Sequence, residues 1–99
     1  MAEPECSRII ATATGRVQGV GYRYYVVDEA NRLGLTGYVR NKADGSVEVV
    51  AEGDRKTLDG FLALLRIGPS GAAVTDVAVT FVPATGEFYD FSIKRWQSW

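Results

Sequence analysis

Residues 37–52 of the chain read GYVRNKADGSVEVVAE. Two β-prone runs, 37–42 and 46–52, flank Ala43, Asp44 and Gly45. Asp-Gly between such runs marks a hairpin, here with a loop longer than the two-residue type. In the second run Val47, Val49 and Ala51 alternate with Glu48, Val50 and Glu52, which predicts one buried face and one mostly wet face. Working outward, each side of the hairpin meets a helical pattern. Upstream, Tyr22, Val26, Ala30 and Leu33 fall at helical spacing over 22–33. Gly34 suits the left-handed position past a helix end, with Leu35 as its hydrophobic contact. Downstream, Asp54 can N-cap a second helix. Leu58, Phe61, Leu62 and Leu65 then recur at i, i+3, i+4 and i+7, and Gly68-Pro69 ends the pattern. One step further out on each side lies another strand: IIATAT over 9–14, closed by Gly15, and 74–82, with Val77, Val79 and Phe81 on one side.

The order is β-α-β-β-α-β, and Phe91 and Ile93 add a short terminal strand. This predicts an α+β, ferredoxin-like split βαβ sandwich, an antiparallel sheet with two helices on one face. That fold hosts many functions and assigns none by itself.

Composition narrows the chemistry. Ninety-nine residues, 46% hydrophobic and 23% charged, are one ordinary globular domain. No repeat or linker divides it. A net charge of −1 argues against a nucleic-acid partner, which calls for a clustered positive excess. No apolar run approaches the roughly 20 residues of a membrane span. The opening MAEPECSR is acidic and lacks the apolar stretch of a signal peptide, so a cytoplasmic setting is expected. There is no histidine, which excludes an imidazole base or ligand. The lone Cys6 can form neither an internal disulfide nor a multi-cysteine metal cage. A cysteine phosphatase would need an arginine where Thr12 stands, so Cys6 reads as an incidental thiol in a polar tail. No metal and no cofactor are expected.

The loop Gly15-Arg16-Val17-Gln18-Gly19-Val20-Gly21 breaks the local rules. It opens a helix without a Ser, Thr, Asp or Asn in capping position, leaving orphan N–H groups. Three glycines in seven residues let the backbone come close to a ligand. N–H donors at the positive end of a helix dipole make an anion cradle; a tight connection with solvated N–H groups is the plainer alternative. The loop fits neither the Walker pattern nor the dinucleotide fingerprint. Arg23 stands in the first helical turn, where a cation opposes the macrodipole and a bound anion would reverse that penalty. It can equally be a surface arginine whose stem lies on Tyr22 or Tyr24. Asn41 is out of place near a strand end, and its carboxamide can orient a water without charge; alternatively it begins the hairpin turn.

The run Gly15-Arg16-Val17-Gln18-Gly19-Val20-Gly21-Tyr22-Arg23 strongly resembles the phosphate-binding signature of the acylphosphatase family. The segment Gly37-Tyr38-Val39-Arg40-Asn41-Lys42-Ala43-Asp44-Gly45-Ser46-Val47, closing at Gly53, is similar to that family's second signature, and Phe88-Tyr89-Asp90-Phe91-Ser92-Ile93 to its last strand. The resemblance covers the chain beyond the tail, with 1–7 expected as a flexible N-terminal tail and 8–99 as a single acylphosphatase-like domain. It implies a hydrolase of small acyl phosphates; metal independence follows from the missing ligand residues, and a monomer is expected. Arg23 and the loop, Arg16 to Tyr22, would bind the phosphoryl group, and Asn41 would position the attacking water. Tyr22 departs from the family's usual Phe, and the chain extends to Trp96 and Trp99. Two rivals share the fold. A regulatory anion-binding module would keep Arg23 and the loop without turnover, and Asn41 speaks against it. An RNA-binding domain would need aromatics and bases on a central strand, and 46–52 has neither.

Overall fold

The computed structural model describes residues 5–94; Trp96 and Trp99 lie outside them. Seven elements follow in order: β1 (Cys6–Arg16), α1 (Tyr22–Arg32), β2 (Thr36–Asn41), β3 (Val47–Asp54), α2 (Arg55–Ile67), β4 (Ala73–Pro83) and β5 (Phe91–Ile93). The strands form one sheet in the order β4-β1-β3-β2-β5.

Two helix boundaries, the start of α2 and the end of α1, have a visible cause. Asp54 accepts from the Thr57 N–H at 2.9 Å and caps α2. At the end of α1, Gly34 N–H donates to Asn31 O at 3.1 Å and Leu35 N–H to Ala30 O at 2.9 Å. That pair of bonds is a Schellman motif, with Leu35 buried behind it. The hairpin turn is closed by Asp44, whose carboxylate accepts from both the N–H and the hydroxyl of Ser46.

Register explains the core. Ile9, Ala11 and Ala13 pair with Ala51, Val49 and Val47, and Val39 lies opposite Val49. These residues share one face of the sheet and are buried against Tyr22, Val26 and Ala30 of α1 and Leu58, Phe61, Leu62 and Leu65 of α2. Helix α1 covers β2 and β5, while α2 covers β3, β1 and β4. Both helices thus lie on the face the periodicity assigned to the core.

Three expectations are corrected. The sheet is mixed, because β5 runs parallel to β2, pairing Gly37 with Phe91 and Val39 with Ile93. The second face of β3 is not mostly wet: Val50 and Glu52 are both buried. The connection from β4 to β5 returns over that face. There Thr85 and Gly86 donate their N–H groups to the Glu52 carboxylate, and Phe88 meets Tyr38 edge-on. Arg8 completes the set, donating to Glu52 at 2.7 Å. Finally, β1 begins at Cys6, opposite Asp54, so part of the segment 1–7 is strand.

Candidate active site

Strand β1 ends in an irregularity between Thr14 and Gly15, where the pairing with β4 shifts. Gly15 has φ +110°, and a side chain there would run into the Ala73 carbonyl and Thr75. Glycine is therefore required where the register with β4 shifts. The loop then runs to Gly21, the N-cap of α1, in the left-handed region at φ 79° with no side chain capping the helix. No N–H from Val17 to Tyr24 donates to a protein acceptor among the described residues; the first bond of the helix is Tyr25 N–H to Gly21 O. These are consecutive unpaired donors at the positive end of a helix dipole.

The side chains of this segment divide sharply. Val17 and Tyr22 are buried in the core, so only their backbone can face a ligand. The Tyr22 hydroxyl donates to Leu65 O at 2.8 Å, and burial pushes its pKa above the ordinary value, keeping the donor protonated. Tyr25 does the same to Leu64 O at 2.7 Å. Two tyrosines of α1 thus satisfy the last carbonyls of α2, which have no intrahelical partner of their own or only Gly68. That fixes α1, and with it the N–H groups, against the rest of the core.

Val17, Gly19, Gly21, Tyr22, Arg23 and Tyr24 line a cavity of about 230 Å³. Arg23 is half-buried there, with no carboxylate partner among the described residues, unlike Arg8, Arg32, Arg40 and Arg55. Arg16, at the end of β1, is exposed and equally unpaired. Val20 packs partly against the core, while Gly19 and Gly21 are open to solvent.

Asn41 does not line that cavity. It ends β2 opposite Val47, in the same row of the sheet as Ala13, and so projects on the helix side. Its Oδ1 is buried and has no hydrogen-bond partner. What brings Asn41 to the loop is Gln18. Its Nε2 donates to Lys42 O at 2.8 Å and to Ser46 O at 2.9 Å. The glycine loop is thereby tied to the two strand ends of the hairpin, next to Asn41. A second cavity, about 180 Å³, lies between Thr14 and Gly15 on one side and Asp44, Gly45 and Ser46 on the other. No cluster of three or more Cys, Asp or Glu able to hold a metal occurs among the described residues.

A family model described as acylphosphatase matches residues 9–93. The chain belongs to the acylphosphatase family. It is 49% identical over 88 residues to an acylphosphatase of Methylococcus capsulatus, covering 89% of this chain and 96% of that one. An acylphosphatase of Dehalococcoides mccartyi is 51% identical over 86 residues, covering 86% and 94%. The crystal structure of the acylphosphatase from Bacillus subtilis has a TM-score of 0.86 at 39% identity, covering 89% of this chain and 98% of that chain. Relatives this similar over nearly their whole length make the chain an acylphosphatase enzyme, a hydrolase. No helix among the described residues is long and apolar enough to cross a membrane.

Proposed function

We propose that the chain hydrolyses the carboxyl–phosphate bond of small acyl phosphates by direct attack of water, with Arg23 and the loop N–H groups holding the phosphoryl group and Asn41 holding the water. One observation carries this reading. A run of unpaired N–H donors at a helix N-terminus is flanked by two unpaired cations, Arg16 and Arg23. Nothing in the helix itself favours positive charge there; a phosphoryl anion does.

The reaction divides the work simply. The guanidinium of Arg23 and the N–H groups stabilise charge on the phosphoryl oxygens, as positioned donors do in other phosphoryl transfers. Asn41 Oδ1, an acceptor without a donor, takes a hydrogen bond from the water and points the water's lone pair at phosphorus. The new P–O bond forms as the bond to the acyl oxygen breaks, and the carboxylate leaves with the electron pair, needing no proton. The proton of the attacking water passes to a phosphoryl oxygen of the substrate, which leaves as inorganic phosphate. No step calls for a metal or cofactor. All these groups come from one chain, so a monomer suffices, and the lone exposed Cys6 suits a reducing cytoplasm.

The test is turnover of benzoyl phosphate with a chelator present and inorganic phosphate as inhibitor. The expected result is chelator-insensitive hydrolysis with phosphate competitive. Absence of hydrolysis, with phosphate still bound, would leave a regulatory anion-binding module; activity restored only by a divalent ion would overturn the metal-free scheme.

A further inference from the structure

Three tyrosines lie in the first turns of α1, and two have structural work: Tyr22 and Tyr25 cap the carbonyls of α2. Tyr24 has none. It is 69% exposed, and its ring makes no aromatic pair, cation–π contact or hydrogen bond with any described residue. Yet it lines the same cavity as Gly19, Gly21 and Arg23. Of the other lining residues, Val17 and Tyr22 are turned into the core and the glycines have no side chain. Tyr24 is therefore the one lining residue with an exposed aromatic ring to offer.

In-line displacement sets where the rest of the substrate goes. The leaving carboxylate departs opposite the attacking water, hence away from Asn41, which is not part of this cavity. We infer that the Tyr24 ring receives the acyl group and biases the enzyme towards aromatic and bulky apolar acyl phosphates over acetyl phosphate. This rests on the phosphoryl-binding role of Arg23 and the loop. A stacked aromatic pair on an open surface is a modest interaction, which gives a preference and not an absolute requirement.

The experiment compares wild type, Tyr24→Ala and Tyr24→Phe in two ways. The first is the ratio of kcat/KM for benzoyl over acetyl phosphate. The second is the ratio of Kd for methylphosphonate over phenylphosphonate, which needs no turnover. Alanine is at home in an exposed helical turn, so folding is not at risk. Both ratios should fall about three- to tenfold in Tyr24→Ala and hold in Tyr24→Phe. If all three proteins turn over both substrates and bind both phosphonates with unmoved ratios, the acyl contact is wrong while the phosphoryl site stands. If the wild type neither hydrolyses nor binds any of the four compounds, the phosphoryl site fails and the acyl contact with it.

Discussion

The Gln18 side chain donates to the carbonyl of Lys42 at 2.8 Å across 24 positions of sequence, joining the glycine loop to the strand end that carries Asn41. Lys42 O and Ser46 O each keep one backbone donor without it, Gly45 and Lys42 respectively. Losing the clamp should therefore cost little stability, about 1 kcal/mol. Its effect on rate should be larger, because a small misplacement of a positioned water costs about 10²-fold. Gln18→Ala is expected to lower kcat about 10- to 100-fold with a melting temperature only a few degrees down. Gln18→Glu, which turns a carboxylate on two carbonyl oxygens, should be worse at neutral pH and recover partly as it protonates. Wild-type kcat in Gln18→Ala would remove Gln18 from the mechanism.

Arg23 and Asn41 should fail differently. Arg23→Gln should impair both KM and kcat, the latter by about 10²–10³. Without ligand it should be neutral or slightly stabilising, since a cation leaves a helix N-terminus. Asn41→Ala should lower kcat by a similar order with KM and phosphate affinity nearly intact. It deletes a buried acceptor that has no partner, so its unfolding temperature should hold or rise. Steady-state kinetics and thermal unfolding of both variants decide the matter; full turnover in Asn41→Ala would end its water-positioning role.

Glu52 should set the acid limit of stability. Burial pushes its carboxyl up, but the N–H groups of Thr85 and Gly86, with Arg8 and the Thr85 hydroxyl, outweigh this and bring it down to about 2. A folded pKa below the ordinary carboxylate value means the stabilisation is present above about pH 4.5 and is lost as pH falls towards 2. The span corresponds to about 3 kcal/mol. Glu52→Gln should lose that amount at neutral pH and flatten the dependence of denaturant midpoint on pH between 5 and 2. An unchanged slope would mean other carboxylates, such as Asp44 or Asp54, carry it.

Tyr22→Phe isolates the bond between α1 and α2. The methylene and ring stay in the core, while Leu65 O, in the last turn of α2, loses its donor. A buried carbonyl left unpaired costs about 1–3 kcal/mol, to be read as a shift in urea midpoint at constant slope. A shift below about 0.5 kcal/mol would mean the carbonyl finds another donor.

What could be read from the sequence was whatever has a local cause. Asp54, Gly34 and the Asp44-Gly45 turn act within a few residues, and the stripe Leu58, Phe61, Leu62 and Leu65 faces one way whatever lies opposite. The glycine loop was visible for the same reason: a missing cap is a local fact. The remainder depends on partners far along the chain. Val50 and Glu52 alternate as solvent-facing residues should, but the returning segment at Thr85 and Gly86, over 30 positions from Glu52, binds the Glu52 carboxylate. Phe91, Ser92 and Ile93 are too few to declare their direction, so the parallel pairing with β2 had no signal. Gln18 stood in the candidate site as a ligand contact; its observed bonds go to the hairpin, and nothing in its neighbours marks that.

The parallel seat of β5 beside β2 has a consequence for the chain as it is made. From Gly37 to its partner Phe91 there are 54 positions, so at about 5–20 residues per second the ribosome needs roughly 3–10 seconds to supply the second neighbour of β2. For that interval the strand bearing Asn41 is an open edge in every nascent chain, with a row of backbone groups that a strand from another chain can pair with. Substitutions at Phe91 or Ile93 that delay docking should therefore show first as insoluble product during expression, before any loss appears in the melting temperature of the molecules that do fold.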